Sequence, residues 1–227
     1  MYKMVEVLHL GILLLGFIIP ILIIVKVNKK HNYTNNLRLI KAIIIQLIMF
    51  ISSAKFFQLI LDKVYEDVDI AQVFNFKYII SFATSGYTFF GGYVGGLLAV
   101  LIIKKKLGMN KEICFWLVNN LNLMYAIMKI ACFIGGCCYG FTVIPIQLLE
   151  SIISLIIYVA IIAFYKKSKK VNISIGLSII LFSLERFILS FYRAYMTDFA
   201  FCGTEVMCII LVIIGSIICF MRLEERS

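Results

Sequence analysis

The chain contains few charged residues and almost no histidine. Only 15% of its 227 residues are charged, whereas 63% are hydrophobic, and this composition excludes an ordinary soluble domain. With two histidines in the chain, the cysteine cluster lacks the partner of a common zinc site. The glycine-rich segment is not followed by Gly-Lys-Ser or Gly-Lys-Thr, which excludes a Walker-type phosphate loop. We therefore expect no metal and no other cofactor.

Most of the chain consists of long apolar segments. Each is close to the roughly 20 residues that cross a bilayer as a helix. They lie at residues 7–26, 39–61, 84–103, 113–133, 147–165, 173–191 and 204–221. The sequence therefore predicts an all-α, polytopic membrane helix bundle of about seven transmembrane helices, which forms a single transmembrane domain over residues 1–227.

The formal charge of +10 comes from short clusters of Lys and Arg between the apolar spans. Such clusters remain on the cytoplasmic side of a membrane. They follow the first, third and fifth spans and the last one, which predicts an outer N-terminus and a cytoplasmic C-terminus. Membrane topology thus accounts for the charge, and we expect no nucleic-acid partner.

The third span is rich in glycine. Gly91 and Gly95 lie four residues apart, as do Gly92 and Gly96, and this spacing lets a neighbouring helix approach closely. Helix packing explains most of these glycines. For the Gly91-Gly92 pair a second interpretation stays open, in which the backbone approaches a lipid head group.

Polar residues inside the apolar spans mark the candidate site, because a charge at a helix centre costs roughly 2.5–3.5 kcal/mol on insertion scales. Asn122 and Lys129 are nearly two helical turns apart and share a face. The structural alternative for Asn122 is an interhelical hydrogen bond. The structural alternative for Lys129 is a side chain that extends to the membrane surface. Gln147 and Glu150 also face one way. Glu150 has two open roles, ion pairing with Lys129 or Arg186 and proton transfer.

The sixth span ends with two arginines. Arg186 and Arg193 are seven residues apart, so they are predicted to lie on one helix face with Ser190 between them. A guanidinium group donates two parallel hydrogen bonds to phosphate oxygens. The pair predicts a phosphate site, with an interfacial anchor as the alternative for Arg193. Glu185 is adjacent to Arg186 and so points elsewhere.

Four segments resemble, in order, the phosphatidylglycerol–prolipoprotein diacylglyceryl transferases of bacterial plasma membranes. They are GYTFFGGYVGG at residues 86–96, KIACFIGGCCYG at 129–140, PIQLLE at 145–150 and RFILSFYR at 186–193. The predicted topology also resembles that of this family. The resemblance covers most of the chain and implies a short, divergent member.

The resemblance implies transfer of the diacylglyceryl group of phosphatidylglycerol to the lipobox cysteine of a prolipoprotein, with release of glycerol phosphate. Residues of the matched segments would bind the phosphoglycerol and line the cavity. The residues expected to bind phospholipid are Lys129, Arg186, Arg193, Gly91, Gly92, Gly140, Gln147 and Asn122. Those expected to be catalytic are Lys129, Arg186 and Glu150.

The chain departs from the family pattern at several positions. Phe90 stands where the family often has His or Tyr, Lys129 where it has Arg, and Ser190 where it has Glu. These departures leave open a second function, that of a non-catalytic relative which binds an anionic phospholipid or a membrane partner. A transporter is disfavoured because the chain lacks repeated halves. A disulfide is geometrically possible among the cysteines near the predicted outer surface, Cys137, Cys138 and Cys202.

Overall fold

The computed structural model describes residues 2–66, 88–137, 140, 145–193 and 198–220. Over these residues the chain forms seven helices: α1 (Tyr2–His31), α2 (Asn36–Glu66), α3 (Phe89–Leu107), α4 (Lys111–Ile134), α5 (Ile146–Ser168), α6 (Val171–Ser190) and α7 (Asp198–Phe220). Six of the described helices are long and apolar enough to cross a membrane. The predicted all-α, multi-pass membrane protein is confirmed. Residues 84–87 and 221 of the predicted spans lie outside the described residues.

Several helices continue beyond the predicted apolar spans into basic residues. The last turns of α1, α3 and α5 carry lysines, such as Lys30, Lys106 and Lys167. Positive charges near a helix C-terminus interact favourably with the helix dipole, so these turns remain helical where the hydropathy falls. Hydropathy alone therefore predicts the apolar part of each helix and misses its polar ends.

The chain forms two compact units, Met1–Asn35 with Met109–Ser227 and, separately, Asn36–Gly108. In the larger unit α4 packs against α1, α5 and α6, and α6 also packs against α5 and α7. Most of α4 is buried inside the unit, whereas α1 and α7 expose most of their apolar surface. The helix that carries Lys129 is therefore the central helix of this unit.

In the smaller unit α3 packs against α2 through its glycines. A Cβ atom on Gly91 would lie 2.6 Å from Cβ of Phe57, and one on Gly92 would lie 2.6 Å from the ring of Phe50. Real side chains do not approach so closely, so only glycine permits this helix contact. The packing interpretation of the glycine-rich segment is confirmed. Lipid binding by Gly91 and Gly92 stays a prediction.

Gly95→Ala is expected to destabilise the protein by about 1–3 kcal/mol, the usual cost of overpacking. A Cβ atom at this position would overlap the hydroxyl of Ser53 and the backbone oxygen of Met49, which cannot move away as a flexible side chain would. Thermal unfolding of the purified protein in detergent measures the effect. Gly11→Ala is the matched control, because no atom lies within 4 Å of the added Cβ. Equal melting temperatures for the two variants would contradict the close approach.

Candidate functional site

The candidate site lies at one end of the larger unit, where α4 ends, α5 begins and α6 ends. Lys129 lies in the last two turns of α4, Glu150 in the second turn of α5 and Arg186 in the last two turns of α6. The opposite ends of α4 and α5 carry Lys111 and Lys167. If the lysine-rich end is cytoplasmic, as the positive-inside rule predicts, the site lies on the outer side of the membrane.

Glu150 is the centre of the site. Its carboxylate is fully buried and binds three cationic side chains. Nζ of Lys129 lies 3.0 Å from Oε2, Nη1 of Arg186 lies 2.6 Å from Oε1 and Nη2 of Arg193 lies 2.7 Å from Oε2. Nε of Arg193 also donates to Oε1 at 2.9 Å, which makes this pair bidentate. The predicted pairing of Glu150 with Lys129 or Arg186 is confirmed for both.

The ion pairs explain why charged groups are tolerated here. A lone charge in a low-dielectric interior costs several kcal/mol, and this cost is offset only when partners and hydrogen bonds are in place. The four side chains, Lys129, Glu150, Arg186 and Arg193, carry a net charge of +2. A buried group with this charge is suited to bind an anion.

Arg193 reaches the carboxylate from beyond α6. The helix ends at Ser190, and Arg193 forms an isolated antiparallel bridge with Gly140. The prediction that Arg186 and Arg193 share one face of a helix is therefore wrong. The hydroxyl of Ser190 donates to the backbone oxygen of Phe187 at 2.6 Å, a local bond that competes with further helix formation. The turn that follows brings the second guanidinium group back to Glu150.

Gly140 and Gln147 each make a contact close to the cations. A Cβ atom on Gly140 would lie 2.5 Å from the backbone oxygen of Tyr192, so a larger residue would displace the bridge to Arg193. Nε2 of Gln147 donates to the backbone oxygen of Cys137 at 2.6 Å. Both predicted residues thus lie next to the ion-pair group, and their contact with a lipid stays a prediction.

Tyr125 is a residue of the site that the sequence analysis missed. Its hydroxyl accepts a hydrogen bond from Nη1 of Arg186 at 2.8 Å. Its ring centroid lies 5.1 Å from Nζ of Lys129 and 5.7 Å from Cζ of Arg186, within the range of cation–π attraction. The signal was its position four residues before Lys129, on the same helix face.

Asn122 lies in a separate hydrogen-bond network between α4 and α6. Its Nδ2 donates to the hydroxyl of Ser178 at 3.0 Å, and that hydroxyl donates to Oδ1 of Asn119 at 3.2 Å. The interhelical alternative for Asn122 is confirmed, and its role in lipid binding stays a prediction.

Glu185 accepts its hydrogen bond from a hydroxyl group of α5 and not from one of the three cations. The hydroxyl of Ser154, one helical turn from Glu150 on α5, donates to Oε2 of Glu185 at 2.5 Å.

The possible disulfide among Cys137, Cys138 and Cys202 stays a prediction. Cys138 and the side chain of Cys202 lie outside the described residues.

Fold and site together define a multi-pass membrane protein with a buried, positively charged group suited to an anion. Residues 5–221 match the family model described as "Prolipoprotein diacylglyceryl transferase". The chain therefore belongs to the prolipoprotein diacylglyceryl transferase family. The predicted family membership and the predicted enzyme class, a transferase, are confirmed.

The chain is also similar to a curated protein named phosphatidylglycerol–prolipoprotein diacylglyceryl transferase, from Clostridium tetani (strain Massachusetts / E88). The two are 24% identical over 200 residues, which cover 79% of this chain and 77% of the relative. The similarity thus extends over most of both proteins.

Proposed function

We propose that this protein transfers the diacylglyceryl group of phosphatidylglycerol to the lipobox cysteine of a prolipoprotein, in a bacterial plasma membrane. The observation that carries the proposal is the convergence of Lys129, Arg186 and Arg193 at one buried point in a chain of this family. The name of the clostridial relative contains the same lipid and protein substrates. The leaving group of the reaction is a phosphate ester, whose charge needs cations.

The chemistry assigns these cations a role in the transition state. A thiolate sulfur attacks the glyceryl carbon next to the phosphate, and the bond between that carbon and the phosphate oxygen breaks. Charge grows on the departing phosphate, where pre-positioned donors in a dry site lower the barrier, each by a factor of about 10²–10³ in rate. Lys129 and Arg186 are the catalytic donors in this proposal, and Arg193 holds the phosphate.

The depth of the site supports a phospholipid substrate. Glu150 lies four residues after the start of α5, or about 6 Å along the helix axis. The end of a membrane-spanning helix lies near the edge of the roughly 30 Å hydrocarbon core, where the glycerol and phosphate of a membrane lipid also lie. The acyl chains would then remain in the bilayer while the phosphate enters the protein, and Gly140 and Gln147 would border the phosphoglycerol.

A second candidate function is phospholipid binding without turnover. Ser190 favours it, because its hydroxyl bonds Phe187 of its own helix instead of a cation. Phe90 is buried and its side chain can neither donate nor accept a proton. Both positions therefore lack an acid or a base, and an acid–base group must come from elsewhere if the protein is catalytic.

The test is an incubation of the purified protein, in nanodiscs that contain phosphatidylglycerol, with a synthetic lipobox peptide. We expect the intact mass of the peptide to increase by one diacylglyceryl group. A peptide with serine in place of the lipobox cysteine, and nanodiscs without phosphatidylglycerol, are the controls. Bound phosphatidylglycerol without a mass increase would favour the second candidate, and the absence of both would contradict the two functions together.

A further inference from the structure

The carboxylate of Glu150 occupies the position that a phosphate group needs. Oε1 accepts hydrogen bonds from Nη1 of Arg186 and Nε of Arg193, and Oε2 accepts from Nη2 of Arg193 and lies 3.0 Å from Nζ of Lys129. A phosphodiester likewise shares one negative charge between two oxygens and binds the same donors. Glu150 must therefore leave the cations before a phosphate can bind them at this point.

We infer that Glu150 is an internal substitute for the phosphate of the substrate and that, once displaced, it accepts the proton of the substrate thiol. The second half of the inference rests on the proposed function. A buried carboxylate held by cations is stable as an anion, whereas the same group without them is costly unless it is neutralised. Binding of the phospholipid would thus create the proton acceptor at the moment when the thiol must be ionised.

The groups around Glu150 fit this exchange. Lys129 and Tyr125 face it from α4, Arg186 faces it from α6 and Arg193 from the turn beyond. The side chains of Lys129 and Arg186 also lie against the ring of Tyr125, which holds their charged ends in place when the anion changes. The cations can therefore pass from one anion to another with little movement.

The atoms balance as follows. The thiol gives its proton to Glu150, and the sulfur forms a bond to the glyceryl carbon of phosphatidylglycerol. The bond from that carbon to the phosphate oxygen breaks, and its electron pair stays on the oxygen. Glu150 then gives its proton to the departing glycerol phosphate, becomes an anion again and returns to the cations. No oxidant, metal or other reactant is required.

Glu150→Gln separates this role from a structural one. The amide keeps the shape of the side chain but no longer competes as an anion. The affinity for dihexanoyl-phosphatidylglycerol should therefore rise at least about tenfold, as measured by calorimetry in detergent. Transfer to the lipobox peptide at saturating lipid should fall by about 10²–10⁴-fold, the contribution of a positioned acid or base. A residue that only holds the helices together would lower both quantities, and weaker lipid binding would overturn the substitution by Glu150.

Glu185→Gln is the matched control for the loss of a buried carboxylate. Glu185 accepts its hydrogen bond from Ser154 and does not occupy the donors of the cations, so we expect the lipid affinity of this variant to rise far less than that of Glu150→Gln. An increase equal to that of Glu150→Gln would show a general effect of charge and would overturn the inference.

A lipobox peptide with selenocysteine in place of cysteine tests the proton step. A selenol ionises far more readily than a thiol and needs no proton acceptor, so Glu150→Gln should recover most of its lost transfer with this peptide. An equal defect with both peptides would overturn proton transfer by Glu150.

Glu150→Asp guards against a glutamine variant that does not fold. It keeps the charge and shortens the side chain by one methylene group, so the carboxylate reaches the cations less well and competes less with the phosphate. This variant should therefore also bind the lipid more tightly than the original protein does, by a smaller factor than Glu150→Gln.

The lipid measurement also distinguishes a failure of the phosphate substitution by Glu150 from a failure of the proposed transfer reaction. If the unaltered protein transfers nothing and Glu150→Gln still binds dihexanoyl-phosphatidylglycerol more tightly, the reaction and its proton step fail while the substitution for phosphate stands.

Discussion

Arg186→Ala is expected to lower the rate of diacylglyceryl transfer by at least about 10²-fold and the free energy of unfolding by about 3–5 kcal/mol. Arg186 donates to the hydroxyl of Tyr125 at 2.8 Å and to Oε1 of Glu150 at 2.6 Å. Its removal takes one donor from a carboxylate that has no access to water. Intact-mass analysis of the lipobox peptide measures the rate, and thermal unfolding in detergent measures the stability.

Two further variants separate catalysis from folding. Arg186→Lys keeps the charge but loses the planar fork, so it should recover most of the stability and only part of the transfer rate. Arg38→Ala, which removes an exposed arginine at the start of α2, should change neither quantity. Full transfer by a folded Arg186→Ala protein would contradict the assignment of Arg186 as a catalytic donor.

Much of the site could be predicted from the sequence because helical periodicity is regular. Lys129 and Glu150 were identified as intramembrane charges, and a charge in an apolar span needs a partner. The spacing along each helix then indicated which face carried them. The pairing of Lys129 and Arg186 with Glu150 followed from charge alone, since these groups have few other ways to be neutralised.

The prediction that Arg186 and Arg193 share a helix face failed because it depends on where the helix ends. The seven-residue spacing of Arg186 and Arg193 predicts a shared face only if the helix continues, and α6 ends at Ser190. Side-chain bonds such as that from Ser190 to Phe187 decide such ends, and periodicity does not contain them. Arg193 reaches the site through its bridge to Gly140, a contact that no helical pattern could predict.

Tyr125 was missed for a different reason. In an apolar span a tyrosine is more often a packing residue with a polar tip, so the residue type alone gives no signal and only the spacing from Lys129 does. Its function depends on the two cations that lie against its ring, and one of these comes from another helix. Only the packing of α4 against α6 reveals that contact.

Lys129→Met is expected to weaken the binding of phosphatidylglycerol by about 10–100-fold, because one charge-assisted hydrogen bond contributes about 1.5–3 kcal/mol. The methionine keeps most of the apolar stem and removes the charge that lies 3.0 Å from Glu150. Calorimetry with dihexanoyl-phosphatidylglycerol measures the affinity. Lys41→Met, which removes an exposed lysine on α2, is the control and should leave the affinity unchanged. Unaltered affinity in Lys129→Met would remove Lys129 from the lipid site.

The double variant Lys129→Met with Glu150→Gln tests whether these two residues act on each other. Because their side chains are in direct contact, we expect their effects on the free energy of unfolding to be non-additive by about 0.5–3 kcal/mol. Each single variant leaves the other charge with one partner fewer, whereas the double variant removes both charges together. Additive effects would mean that the contribution of Lys129 to stability does not depend on Glu150.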